Sequence, residues 1–335
     1  MGAWEAFFAE WMPALEAEMQ AAVGEPAAPA ETLFYGMLHY HLGWVDAALR
    51  PVRLNAGKRL RPMLCLLACA AGGGDPARAL PAAAAIELLH NFSLIHDDIE
   101  DRSETRRGRP TVWALWGVAQ AINAGDALFT IAHQALWRLR ERGVPPELVL
   151  EVAERFDAAC LALTLGQHLD LAFEAAERIR VADYLQMIRG KTAALLAAAL
   201  GIGARLAGRP PSPLEAFGEA LGMAFQIQDD LLGIWGDPTA TGKPVADDLR
   251  ARKKTLPVVC AMERMPAFAE RYRDPATPVE DLVRDLEACG ARAEAEAMAA
   301  TFTQQALEAL RRADLRDPYG RALQELALSL LTRTA

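Results

Sequence analysis

Two long apolar segments of helical period end in carboxylates, and this constrains the fold more than any other feature of the chain. Ile86 to Asp101 reads I-E-L-L-H-N-F-S-L-I-H-D-D-I-E-D and stays apolar until its last turn. Asp97 and Asp101 stand four residues apart and share one helix face; Asp98 lies about 100° round from Asp97. Like charges at that spacing repel, and the C-terminal end of a helix disfavours anions further. Gly222 to Asp230, G-M-A-F-Q-I-Q-D-D, repeats the arrangement. Solvent exposure accounts for an ordinary acidic helix end. A hard divalent cation held by carboxylate oxygens is the other explanation. The helix leading to Asp97 is too apolar for the surface, which favours the cation.

Basic residues follow each cluster. Arg102, Arg106, Arg107 and Arg109 surround Gly108 after the first; Lys243, Arg250, Arg252, Lys253 and Lys254 follow the second. Carboxylates beside cations suit a polyanion clamped through metal ions. Magnesium is the ion expected, because it takes one or two carboxylates and completes its shell with water and phosphate oxygens. The chain lacks the Asp-x-Asp-x-Asp-Gly loop of an EF-hand and the phosphate loop of Walker-type nucleotidases.

The rest of the chain predicts one all-α domain over residues 1–335, a large helical bundle around a deep central cavity. Ala, Leu, Glu and Arg dominate, and they are good helix formers. Helices are predicted over 3–20, 32–50, 58–72, 78–101, 111–119, 123–141, 147–174, 181–206, 213–235, 255–265, 278–287, 291–312 and 318–332. Turn chemistry separates them at Gly24–Pro29, Gly72–Pro76, Gly108–Pro110, Gly208–Pro213 and Gly236–Pro238. No stretch alternates as a strand should. A hydrophobic content of 52% in 335 residues suffices for a large core. The net charge of −9 argues against a nucleic-acid partner. No uncharged run reaches the ~20 residues of a membrane span. Residues 1–20 lack a basic start and a cleavage site, so they do not read as a signal peptide. The five cysteines show neither disulfide nor zinc spacing; Cys65 and Cys69 read as core. A soluble cytoplasmic protein is expected.

Five motifs now stand in order: Gly57-Lys58-Arg59-Leu60-Arg61-Pro62, then D-D-I-E-D-R-S-E-T-R-R-G-R-P from Asp97, Gly190-Lys191-Thr192, F-Q-I-Q-D-D from Phe225, and Thr241-Gly242-Lys243 with Lys253-Lys254. Together they resemble the trans-isoprenyl diphosphate synthases, most closely the short-chain geranylgeranyl and farnesyl types. The resemblance implies a terpenoid synthase fold, a homodimer and three Mg²⁺ ions. It implies that Asp97 and Asp101 hold two ions and Asp229 the third, with Asp98, Asp170 and Asp230 supporting. An allylic diphosphate would meet Arg106, Lys191, Thr192, Gln226, Lys243 and Lys253. Isopentenyl diphosphate would meet Gly57, Lys58, Arg61, His90 and Arg107. His90 precedes Asp97 by seven residues, two turns along the same face.

The implied reaction is a 1′-4 head-to-tail condensation through an allylic cation, with the released diphosphate taking the proton. Chain length would depend on what lies beneath the first cluster. Phe92, five residues before Asp97, is the first bulky aromatic there, and Ser93 is small. That pattern resembles the C20, geranylgeranyl type; farnesyl (C15) is the runner-up. Two positions depart from the family: Gly233 stands where a third Asp is common in the second cluster, and Trp113 where many members have His. A class I terpene cyclase and a non-catalytic partner subunit remain as alternatives. The Lys58, Arg61, His90 and Arg107 set argues against the first, because a cyclase needs no second diphosphate site. The complete first cluster argues against the second. Apolar helices such as 123–139 suit either a dimer face or the core.

Overall fold

A computed structural model describes residues 2–52, 54, 57–237 and 246–331. Two compact units make up the chain: Met1–Phe156 with Ile202–Arg209, and Asp157–Gly201 with Pro210–Ala335.

The first unit is built from α1 (Ala3–Val23), α2 (Thr32–Leu42), α3 (Leu60–Ala71), α4 (Pro76–Glu100), the short α5 (Val112–Trp116), α6 (Val118–Trp137) and the first part of α7 (Pro146–Ala175). α4 is its centre. Asp75 caps it by accepting the Ala77 amide, and Pro76 fills the first helical position, where no amide is needed. From Ala79 to Leu89 every residue is buried, against α1, α3 and α6. α2 ends at Leu42, well short of the predicted residue 50, because Gly43 turns left-handed (φ 84°) and closes the helix. Beneath that turn Arg59 enters the core. It donates to Glu16 at 2.9 Å, to Glu87 at 2.9 Å and to the Leu42 carbonyl at 3.0 Å, and it is 4% exposed.

The described strands are two residues each, Thr105–Arg106 and Arg109–Pro110, paired antiparallel. Arg107 (φ 53°) and Gly108 (φ 72°) form the turn, and two positive φ angles match the tight hairpin turn that twists with its strands. The sequence suggested no strand here, since alternation needs more length than this. Trp113 donates from Nε1 to the Ser103 carbonyl at 2.9 Å, which Thr111 also bonds. The departure at Trp113 therefore pins the loop that carries the hairpin.

In the second unit α8 (Val181–Ile188) passes through one π-helical turn, Arg189–Ala193, into α9 (Ala194–Leu206), whose residues from Ile202 on count with the first unit. By length and hydropathy Val181–Leu206 could cross a bilayer, but 72% of its most apolar window is buried within the fold. α10 (Ser212–Trp235) packs on the long helix Ala291–Arg312. Its Met223, Ile227, Leu231 and Ile234 join a core with Val258, Val259, Phe268 and Leu286. Two short helices, Asp247–Arg250 and Pro266–Arg273, escaped sequence reasoning: they are too brief and polar for a periodic signal.

Candidate active site

The first cluster occupies the last turn of α4. Asp98 points inward and is 1% exposed; Asp97 is half-buried and Asp101 exposed. Arg106, from the hairpin, donates to Asp98 at 2.7 Å and to Asp97 at 3.0 Å. Burial pushes the Asp98 carboxyl up to about 6, against the pull of Arg106. Its Oδ2 is buried with no hydrogen-bond partner. An unsatisfied carboxylate oxygen next to an ionised one costs free energy unless a cation answers it.

The predicted isopentenyl diphosphate residues gather in the same unit. Gly57 (φ 104°) has no side chain, and a Cβ there would stand 2.8 Å from the Arg107 guanidinium. Arg61 lies 3.3 Å from His90 Nε2. Arginine only donates, so Nε2 accepts and the ring proton sits on Nδ1. Burial, then Arg61, Arg107 and Arg106, hold His90 well below the usual imidazole range, so it is neutral at pH 7. Lys58 is exposed. His41 belongs here too, although nothing in its sequence context marked it beyond the neighbouring Gly43. Burial and four arginines depress its pKa to about 3, and its Nε2 has no partner. His41, Asp98, Arg106, Arg107 and Arg109 line a small cavity of ≈ 30 Å³.

Below the cluster, Phe92 packs against Phe129 of α6 at 5.0 Å between ring centres and against His96 at 4.9 Å. Phe129 continues to His133 at 4.6 Å, and His133 to Phe156 at 5.1 Å. Ser93 spends its hydroxyl on the His90 carbonyl at 2.8 Å.

In the second unit, the π turn delivers Gly190-Lys191-Thr192. Wide turns of this kind often mark functional positions. Gly166 of α7 makes the approach possible, because a Cβ there would overlap the Lys191 backbone. Lys191 pairs with Asp170, one turn beyond Gly166. Thr192 donates to Gln226 at 2.8 Å, and Gln226 donates to Asp230 at 3.1 Å. Asp230 is buried; it also takes the Leu256 amide at 2.9 Å and the Tyr184 hydroxyl. Burial nonetheless raises its carboxyl to about 7. Asp229 and Lys253 are exposed. Lys243 lies outside the described residues.

The residues 43–286 match the polyprenyl synthetase family. The chain is a member of that family. It is accordingly an enzyme, a prenyl-transferring synthase. It is 44% identical over 313 residues to (2E,6E)-farnesyl diphosphate synthase of Mycobacterium tuberculosis, covering 89% of this chain and 86% of that one. It is 46% identical over 247 residues to geranylgeranyl diphosphate synthase of the same organism, covering 72% and 69%. The crystal structure of a polyprenyl synthetase from Streptomyces coelicolor A3(2) superimposes with a TM-score of 0.87 at 36% identity, over 98% of this chain and 99% of that one. This polyprenyl synthetase thus has the all-α terpenoid synthase fold.

The donors suit magnesium. Asp97, Asp101 and Asp229 offer hard oxygen, and Asp98 has a buried oxygen still unanswered. Among the described residues no three carboxylates, histidines or cysteines converge as a ready-made metal cage.

Proposed function

We propose that this enzyme is a short-chain trans-prenyl diphosphate synthase that condenses isopentenyl diphosphate with dimethylallyl, geranyl or farnesyl diphosphate in a 1′-4 head-to-tail reaction. Geranylgeranyl diphosphate is its proposed main product. The observation that carries the condensing reading is the second basic group, Arg61 and Arg107 with Gly57 and the neutral His90, gathered beside the first acidic cluster. A cyclase, which ionises one diphosphate, has no use for it.

Asp97, Asp101 and Asp229 are the proposed Mg²⁺ ligands, with Asp98, Asp170 and Asp230 in support and three ions in all. Bound magnesium would neutralise charge on the departing diphosphate. Arg106, Lys191 and Lys253, with Lys243, serve the same charge from the protein side, and Thr192 and Gln226 orient it. Arg61 and Arg107 hold the isopentenyl diphosphate, with Lys58 and the Nδ1 proton of neutral His90 as further donors. The double bond of that substrate attacks the allylic carbon as the C–O bond breaks, and the departing diphosphate takes the proton from the new cation. The protein then supplies no base, and the apolar wall of α4 keeps water from the cation.

Phe92 and Phe129 support the C20 product. A tail lying along α4 advances about 1.5 Å per residue, so Phe92 lies about 7.5 Å beneath Asp97. Named relatives include both farnesyl and geranylgeranyl synthases, so product analysis decides. Purified enzyme with Mg²⁺, dimethylallyl diphosphate and isopentenyl diphosphate should yield a C20 diphosphate. A C15 product would overturn the length; a hydrocarbon or alcohol would favour a cyclase; no turnover would favour a partner subunit. Phe92→Ala should shift the products beyond C20, and an unchanged distribution would place the floor elsewhere.

We further propose a cytoplasmic homodimer. All five cysteines are thiols, which suits a reducing compartment. On α6, Val118, Ile122 and Trp137 are exposed and offer apolar surface to a second copy.

Asp230 gives a pH prediction. Its folded pKa of about 7 exceeds the ordinary 3.8, so the folded chain keeps a proton that the unfolded chain has lost. Stability from this group is complete below pH ~4 and is lost as pH rises through 7. The Asp230→Asn variant should therefore gain thermal stability relative to the parent as pH increases from 4 to 8. Parallel melting-temperature profiles would show that Asp230 does not titrate in this window.

A further inference from the structure

Arg106 and Arg107 reach the diphosphates from the hairpin, and we propose that Arg109 and Tyr40 are the positioning residues that fix where this hairpin stands. The inference rests on the diphosphate reading above, which gives Arg109 and Tyr40 no role. Arg109 stands opposite Arg106 in the register of the two strands, so whatever anchors Arg109 anchors the hairpin. Its Nη2 donates to the Tyr40 carbonyl at 3.1 Å and to the Val45 carbonyl at 3.3 Å. Its guanidinium also lies over the Tyr40 ring, 4.0 Å from the ring centre, which is within cation–π range. Tyr40 answers in the other direction: its hydroxyl donates to the Pro110 carbonyl at 2.8 Å. Hairpin and α2 thus hold one another reciprocally. Tyr40 is 4% exposed, and Trp116 of α5 meets its ring edge-on at 5.1 Å.

An arginine near a helix C-terminus often does no more than cap the last carbonyls. Capping accounts for the bond to the Tyr40 carbonyl. It does not account for Val45, which lies beyond the end of α2, or for the hydroxyl that returns to the hairpin. The turn also needs a firm seat. Arg107 keeps a left-handed φ of 53°, unfavourable for a residue with a Cβ, and such backbone persists where its surroundings enforce it. His41, the next residue of α2, lines one cavity with Arg106, Arg107 and Arg109. Burial, then the charges of Arg107, Arg106, Arg59 and Arg109, keep His41 neutral, so α2 adds no positive charge that would push the hairpin away.

Binding of isopentenyl diphosphate, read by isothermal titration calorimetry with Mg²⁺ and no allylic substrate, tests the seat. Arg109→Met should weaken binding about tenfold at an unchanged circular dichroism spectrum, because a binding group displaced by a fraction of an ångström loses much of its contact. Tyr40→Phe changes no charge and should weaken binding about threefold through the lost hydrogen bond. Arg109→Lys keeps the charge but not the flat stack on Tyr40, so it should recover affinity only in part. A clamp that serves the fold alone would lower the melting temperature and leave affinity at the parent's value. Parent-like affinity in Arg109→Met therefore overturns the inference, and so does full recovery in Arg109→Lys, where charge alone would serve. If Arg109→Met does not fold, Tyr40→Phe decides, and parent-like affinity there overturns the inference. Arg107→Met separates the seat from the reading beneath it. Parent-like binding in that variant overturns the diphosphate reading and the seat with it; weakened binding there beside parent-like Arg109→Met overturns the seat alone.

Discussion

The Asp97→Asn variant is expected to lose kcat on the order of 10³-fold while keeping its melting temperature. Several kcal/mol of charge stabilisation on a departing diphosphate is what a ligated divalent cation supplies, and each 1.4 kcal/mol is about tenfold in rate. The fold has little to lose at this position. Asp97 sits at the C-terminal end of α4, where the helix dipole disfavours an anion, and it is only half-buried. Its neighbour Arg106, from the hairpin, keeps Asp98 at 2.7 Å. Loss of rate without loss of stability would separate a ligand from a structural acid. A kcat within tenfold of the parent would remove Asp97 from the metal site.

The opposite pattern is expected for Glu87→Ala. Glu87 is 2% exposed and answers Arg59 at 2.9 Å and Asn91 at 2.9 Å. Burial alone would pull the Arg59 pKa down, but Glu87 and Glu16 more than offset it, so the guanidinium stays charged in the core. Removing Glu87 leaves Arg59 with Glu16 as its remaining carboxylate and one guanidinium nitrogen unanswered in the core, which costs about 1–3 kcal/mol. The urea midpoint of unfolding should fall accordingly. The double variant Arg59→Met with Glu87→Leu should lose less, because no charge is then left partly answered in the core and the half-buried Glu16 keeps the Trp44 indole. A single variant as stable as the parent would mean that water reaches Arg59.

Arg59 also shows where sequence reading stops. In Gly57-Lys58-Arg59-Leu60-Arg61-Pro62 the three cations look alike, and composition cannot say which faces the substrate. The structure separates them through backbone: Arg59 takes a left-handed φ of 47° as it enters α3 and turns into the core, while Arg61 meets His90. The long helices were legible because apolar periodicity and glycine punctuation reach over many residues, as in Ala291–Arg312, whose ends match the prediction. The acidic clusters were legible because four carboxylates at a helix end are costly without a cause. His41 was not, because it stands on a neighbouring element and carries no local pattern. The same holds for Phe129, whose contact with Phe92 depends on how α6 packs on α4.

The π turn at Arg189–Ala193 has a consequence for the helix that contains it. In an uninterrupted α-helix each residue advances about 100° about the axis. The wide turn slips that phase once, so the stripe set by Tyr184, Met187 and Ile188 is not the one that Leu195, Leu196 and Ala199 continue. A helical wheel drawn straight through Val181–Leu206 therefore misplaces its second half. Removing one residue between 189 and 193 would restore the phase and leave a continuous helix, but it would swing Lys191 or its successors to another side. The position of the lysine depends on a surplus of one residue as much as on the lysine itself.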